Sequence, residues 1–516
     1  MILGDPNAPH IDSAERTTFD DLFRNAATRR PDAVALCDPP NRSSFTDGEP
    51  RRLTYAQADH IVSAIAGRLR RLGLSTDAAV GLQLPNTVES VLALLGVLRA
   101  GMIAVPLPLL WRRTDAAAAL NRVGAKTIIT SSRVGAADHC NIAMNTAADV
   151  FPVRYVCSFG ANLPDGVIPL DDLLAAAPLL DPPAPVERDG NPAAHIAAVT
   201  LEVTTEGLMA VGRNHMELIA GGQAVLREAG LPENAAILAS CANSSFSGLA
   251  ASTLPWLLTC GTLSLHQPFD PAAFAEQCRS DGCDTVVVPG ALAARIAQAG
   301  LLQHPGLHSI LALWRAPERL AIGSPWQHSE AALIDVLAFG ETALIAGRRD
   351  AEGRPAGIPL GPVTAPYGDH DAESVLETMV TETGTLALRG PMVPRHAFPP
   401  GAERTPMPCF KPDARGFVDT LYPCRPDPDS GEGAITGPPP GIVSVGGYRF
   451  RSDQLQDLVS RTAGEAVLTA LPDALAGHRL AGHAADRAAL RQALDGLGVN
   501  PLVSGAFADR RRIEAS

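Results

Sequence analysis

The residues in this chain that could do chemistry are scattered rather than clustered. Nine cysteines show no metal-ligand spacing, and the closest pair, Cys278 and Cys283, fits neither a redox C-x-x-C nor a zinc knuckle. His304 and His308 are four apart, but Pro305 and Gly306 between them break the helix that a metal pair would need. No Gly-x-Ser-x-Gly segment exists to anchor a hydrolase triad. The chain holds only two lysines, Lys126 and Lys411, among its 42 basic residues, so any chemistry that needs an ammonium has two candidates. Arg510, Arg511 and Arg512 form the only dense basic run, which reads as a solvated end.

At 516 residues the chain has room for one large multi-lobed domain or several smaller ones. Its mean hydropathy of +0.08 allows a substantial core, and with 4% aromatics that core must be built mainly from Ala, Leu and Val. A net charge of −13 argues against nucleic acid as a partner, because phosphate contacts need clustered cations. No uninterrupted apolar run is long enough to span a membrane. The opening Met1–Pro6 has no basic or long apolar stretch, so the expectation is a cytoplasmic protein with reduced thiols.

The first third alternates helix and strand signals. Thr18-Phe19-Asp20-Asp21 and Thr54-Tyr55-Ala56-Gln57 each carry a capping-box pattern. The second leads into a helix with Ala58, Ile61, Ile65, Leu69 and Leu72 on one face, closed by Gly73. Strands are predicted at Ala79–Leu84, Ile103–Leu107 and Thr127–Thr130, with a helix at Val88–Arg99. Helices at 214–229 and 271–281 alternate with strands at 235–241 and 284–288. This rhythm predicts an α/β fold with a largely parallel sheet. Prolines and glycines crowd 391–441, which reads as a linker or turn-rich lobe, and helix signals return at 452–461 and 485–497.

Several segments in this order resemble the adenylate-forming (AMP-binding) acyl-CoA synthetase family: Leu53-Thr54-Tyr55, Val80–Asn86, Leu98-Arg99-Ala100-Gly101, Ala104–Leu107, and Gly384–Pro391. The resemblance implies a large N-terminal domain of mixed, mostly parallel sheets with helices, here 1–436, and a small α+β C-terminal lid, here 437–516. It also implies a Ser/Thr/Gly-rich loop whose backbone and lysine hold ATP phosphates. The matching stretch, Leu201–Ala210, keeps Thr204 and Thr205 and is followed by His215, but has Val203 and Glu206 for glycines and Met209 for the lysine. Glu202 and Glu206 place two carboxylates where a polyanion binds. At about 4 Å and an effective dielectric near 20, one such like-charge pair costs up to about 4 kcal/mol before side chains swing away. Arg213 reads as a solvated arginine at a helix start, with a fold back towards the phosphates as the alternative.

The family's Tyr-Gly-x-Thr-Glu is matched by Phe339-Gly340-Glu341-Thr342-Ala343, so the Mg²⁺-associated glutamate is Ala343, with Glu341 one residue early. Phe339 is either an adenine-stacking ring or a core aromatic beside a turn glycine. The ribose-holding Thr-Gly-Asp is matched by Thr420-Leu421-Tyr422. The hinge Thr-Gly-Arg-x-x-Asp is matched by Thr436-Gly437-Pro438-Pro439-Pro440-Gly441, whose prolines stiffen a segment that rotates in the family. Gly446 and Gly447 match the glycine pair after the hinge, and no lysine remains in the lid. Ser244, Ser245 and Ser247 lie where the family places a pocket-lining histidine, and read as either an acyl-site lining or a turn.

The resemblance implies an AMP-forming ligase that joins a carboxylic acid to CoA with ATP and Mg²⁺. On that reading Thr204, Thr205, Phe339, Gly340 and Thr342 serve the nucleotide, and Gly446 and Gly447 the CoA side. The combined motif losses favour a second reading, a non-catalytic descendant that binds an acyl group, a nucleotide or a protein partner. A third is an enzyme that takes an already activated acyl donor and needs no ATP.

Overall fold

The helix Tyr55–Arg71 starts where Thr54 and Gln57 exchange hydrogen bonds between side chain and backbone, as the capping pattern predicts. The computed structural model describes residues 16–175, 183–322, 326, 331–367 and 370–508. Met1–Pro6 and the Arg510–Arg512 run therefore lie outside the described residues.

Two large sheets carry the chain to residue 348. The first runs in the order Gly207–Asn214, Ile196–Thr204, Ile103–Pro106, Ala79–Gln83, Thr127–Ser131, Tyr155–Phe159 and Val167–Pro169. It is parallel except for the edge hairpin 196–214. The second runs Ala343–Arg348, Ala332–Phe339, Ser309–Trp314, Thr285–Pro289, Ala236–Ala239, Thr262–Leu265, Val34–Cys37 and Arg52–Thr54. Its interior is parallel and both of its edges pair antiparallel. One apolar core links elements of both sheets and includes most of the helix Val88–Arg99. That helix packs on Tyr55–Arg71 at Gly96, where a Cβ would come within 2.5 Å of Ile65.

The proline- and glycine-rich stretch is not a linker. It contributes Val418–Pro426 and Glu432–Ile435 to a six-stranded antiparallel sheet with Ile358–Pro359, Gly361–Tyr367, His370–Val380 and Thr385–Arg389. The prolines and glycines fall largely in the connections between strands. From Ile442 onward a four-stranded antiparallel sheet and the helices Ser452–Ala463 and Arg487–Leu497 enclose a separate core around Val459, Leu490, Leu494 and Phe507. The parallel expectation thus holds for the interiors of the two large sheets and gives way to antiparallel pairing in the later ones. Among the described residues no helix is long and apolar enough to cross a membrane.

Candidate functional site

Four segments converge on one cleft: the tip of the hairpin 196–214, the end of Ala332–Phe339, the strand Val418–Pro426, and the strand Tyr448–Arg451 from the C-terminal sheet. The cleft has a volume of about 220 Å³ and brings together Thr204, Thr205, Phe339, Gly340 and Thr342. Lys411 and Asp419 line it too. Gly446 and Gly447 lie outside this lining. Gly447 borders a smaller inner cavity of about 40 Å³, where a Cβ on it would meet Arg315 Cδ at 3.2 Å.

The hairpin tip is tight. Thr204 pairs with Gly207, leaving Thr205 and Glu206 as the whole turn. The Thr204 hydroxyl donates to Gly207 O at 2.9 Å and accepts from Glu206 N at 3.2 Å, so it is engaged within the turn. Glu206 is exposed, while Glu202 is buried at 7% and does not face an incoming anion as a free carboxylate. One Glu202 oxygen accepts from Glu341 N and the other from the Arg449 guanidinium. Gly340 makes this approach possible, because a Cβ there would come within 2.2 Å of Glu202 Oε2.

The other changed motif positions fill the same ground. Tyr422 is 2% exposed, stands edge-on to Phe339 at 5.6 Å, and its hydroxyl accepts from Arg449. Phe339 is 1% exposed and packed as a core ring that still reaches the cleft wall. Leu421 has φ of 61°, in the left-handed region glycine favours, so the backbone of this turn keeps a conformation that its residue strains to adopt. Asp419 Oδ1 accepts from Leu421 N at 2.8 Å.

Glu341 is also turned inward. It accepts from Phe246 N at 2.7 Å, faces Arg315 at 3.8 Å, and burial raises its pKa. Ser245 caps the short helix that begins at Phe246, accepting from Gly248 N at 3.1 Å, while Ser244 borders a small cavity with Leu84, Leu94 and Leu107. Arg213 departs from expectation: it is 1% exposed, lies 3.9 Å over the Phe246 ring and donates to Glu341 O and Thr342 O. Burial pushes its pKa down to about 10. Its position at the end of an edge strand, facing the helix His215–Ala229, buries it. His215 is buried as well, accepting from Phe19 N at 3.1 Å.

Charge and carboxylate geometry limit what the cleft can hold. Its lining has three carboxylates, Glu202, Glu206 and Asp419, against two cations, Lys411 and Arg449, which opposes a triphosphate. Its volume falls below the roughly 300–1,000 Å³ of sites that bury a drug-sized ligand. For Mg²⁺ the fit is poor: Ala343 offers no oxygen side chain, Glu341 is committed to Phe246 N, and among the described residues no group of three or more His, Cys, Asp or Glu converges. Sequence reasoning missed Arg449 as the partner of both Glu202 and Tyr422, since residues 202 and 449 are 247 positions apart.

Comparison with known proteins gives a consistent result. A family model described as AMP-binding enzyme matches residues 23–395. The beauvericin nonribosomal cyclodepsipeptide synthetase of Beauveria bassiana is 34% identical over 87 residues, 17% of this chain but only 2% of that protein's length. The salicylyl-CoA synthase / salicylate adenylyltransferase of a Streptomyces species is 25% identical over 452 residues, 84% of this chain and 78% of its own. An artificially fused adenylation-PCP di-domain, NpsA-ThdA from Klebsiella oxytoca, superposes with a TM-score of 0.65 at 17% identity, covering 93% of this chain and 91% of its own.

Proposed function

Because this chain belongs to the AMP-binding enzyme family, whose members use ATP and Mg²⁺, we propose that it is a member that no longer forms an adenylate and binds a small carboxylic acid or acyl compound instead. The observation that carries this reading is the side chain at the ribose-motif position. Tyr422 stands where the family's ribose-holding aspartate would be, with its hydroxyl on Arg449 and its edge on Phe339. Tyr422 brings no carboxylate to ribose hydroxyls, and its own hydroxyl is held by a charge-assisted hydrogen bond from Arg449. A small acid suits the outer cleft, where Met209, Phe410, Val418 and Ile442 form an apolar wall and Lys411 supplies one ammonium. The domain division at 436/437 and a CoA approach past Gly446 and Gly447 belong to this proposal as inherited features of the frame.

The ligase reading draws support from one fact: Thr204, Thr205, Gly340 and Thr342 still line a single cleft with the lysine. Calorimetric titration with Mg·ATP and an AMP analogue, beside a panel of carboxylic acids, separates the two. Acid binding without nucleotide binding is expected. Micromolar affinity for Mg·ATP, together with acid-dependent release of pyrophosphate, restores the ligase reading.

A further inference from the structure

The outer cleft and the inner cavity share Glu202, Val203, Gly340 and Arg449 in their linings. Arg449 and Glu202 thus form the partition between them, one side chain from the C-terminal sheet and the other from the hairpin 196–214. We infer that this pair is a built-in latch that fastens the C-terminal lid to the large domain and holds the cleft divided against a nucleotide. This rests on the reading of the cleft as one that excludes ATP, and it names what keeps the cleft in that state.

The pair is set up to hold. Arg449 and Glu202 have side chains 13% and 8% exposed, so solvent screens their attraction weakly. Each is also occupied beyond the pair. Glu202 accepts from Glu341 N, while Arg449 donates to Tyr422 OH and reaches Arg315 O at 3.5 Å. Burial works against the Arg449 charge, but Glu202 and Tyr422 outweigh it and raise its pKa. Removing either partner leaves the other charge buried without compensation, which makes the contact close to all-or-none. Glycine at 340 is required for the carboxylate to sit here, and any side chain would displace it.

Three weaker fasteners surround the latch. Leu110 N donates to Tyr448 OH at 3.1 Å, beside Arg449 in sequence. Arg319 of the large domain donates to three successive carbonyls of the lid, Asp473, Ala474 and Leu475, at 2.7–3.1 Å. Thr114 donates through its hydroxyl to Leu497 O and through its backbone to Gly498 O, both at 2.9 Å. The latch is the only one of these in which two buried charges meet, so it sets how readily the lid leaves. The prolines at 438–440 shorten the range of motion once it does.

Hydrogen exchange of the full chain tests this at the segment 437–451 and the hairpin 196–214. Glu202→Gln keeps the shape and removes the charge, so it remains informative if Arg449→Met folds poorly. Each single change is expected to raise exchange of both segments by about tenfold or more, as fits the loss of a charge-assisted bond. The double variant is expected to exchange no faster than the faster single, because both changes cut one interaction. Arg319→Ala, which cuts a peripheral fastener, is expected to have a smaller effect. Exchange that stays within about twofold of the parent in Glu202→Gln overturns the latch, as do effects that multiply independently in the double variant. Mg·ATP titration of the parent separates the two ideas. Nucleotide binding with a slow 437–451 segment overturns the functional reading and the latch's exclusion of nucleotide while leaving its fastening of the lid, and a fast segment in a parent that binds no nucleotide overturns only the latch.

Discussion

Gly96 and Gly340 both sit where a Cβ has no room, and for different reasons. At Gly96 the obstacle is Ile65 of the neighbouring helix, 2.5 Å away, and the glycine lets two buried helices close on each other. At Gly340 the obstacle is the Glu202 carboxylate, 2.2 Å away, and the glycine lets a charge reach its partner. The first belongs to a frame in which packing dictates residue type. The second belongs to a cleft wall in which buried polar side chains satisfy one another. Leu421 shows a different tension, a left-handed turn carried by a residue that strains to adopt it.

That contrast can be pressed hardest in the frame. Gly96→Val drives a branched side chain into Ile65 and is expected to cost about 3 kcal/mol or more, read as a lowered unfolding midpoint. A variant as stable as the parent would mean the helices can part without penalty and the frame is looser than its packing implies.

His215 tests which side of the contrast a motif residue falls on. Burial pushes its imidazole down to about 4, while the unfolded chain titrates near its ordinary value of 6.5. The unfolded state therefore binds the proton first, so this contribution is complete above about pH 6.5 and is lost as pH falls towards 4. His215→Gln retains an acceptor for Phe19 N and is expected to lose less stability than the parent over that interval, by about 2–3 kcal/mol. Equal acid sensitivity in denaturant titrations would remove His215 from the frame.

The smallest expected effect is at Leu421. Replacement by glycine relieves the left-handed strain at a residue 37% exposed and is expected to stabilise by about 1 kcal/mol, net of the added freedom of the unfolded chain. Destabilisation, seen as a lower melting temperature, would show that the Leu421 side chain holds the turn.

Local signals made the frame readable in advance. The helix Val88–Arg99 falls on its expected bounds, because a continuous apolar run needs no long-range information to be recognised. The capping pairs at Thr18 and Thr54 did the same for their helices. The hairpin 196–214 was less legible: its central residues invited comparison with a phosphate loop, and Thr205-Glu206 is not one of the glycine-containing pairs that announce a two-residue turn. Arg213 looked like a solvated helix start because nothing local announces that Phe246 covers it. The meeting of Glu202, Tyr422 and Arg449 was invisible for the most general reason, since its members lie in three distant segments that only the tertiary fold brings together.

Nearly all the cations of this chain are guanidinium groups, and the one in the partition of the cleft is among them. A desolvated ammonium in that place could shed its proton and go silent, whereas a guanidinium stays charged across every pH that living cells meet. The cationic half of the partition therefore does not respond to acid or base.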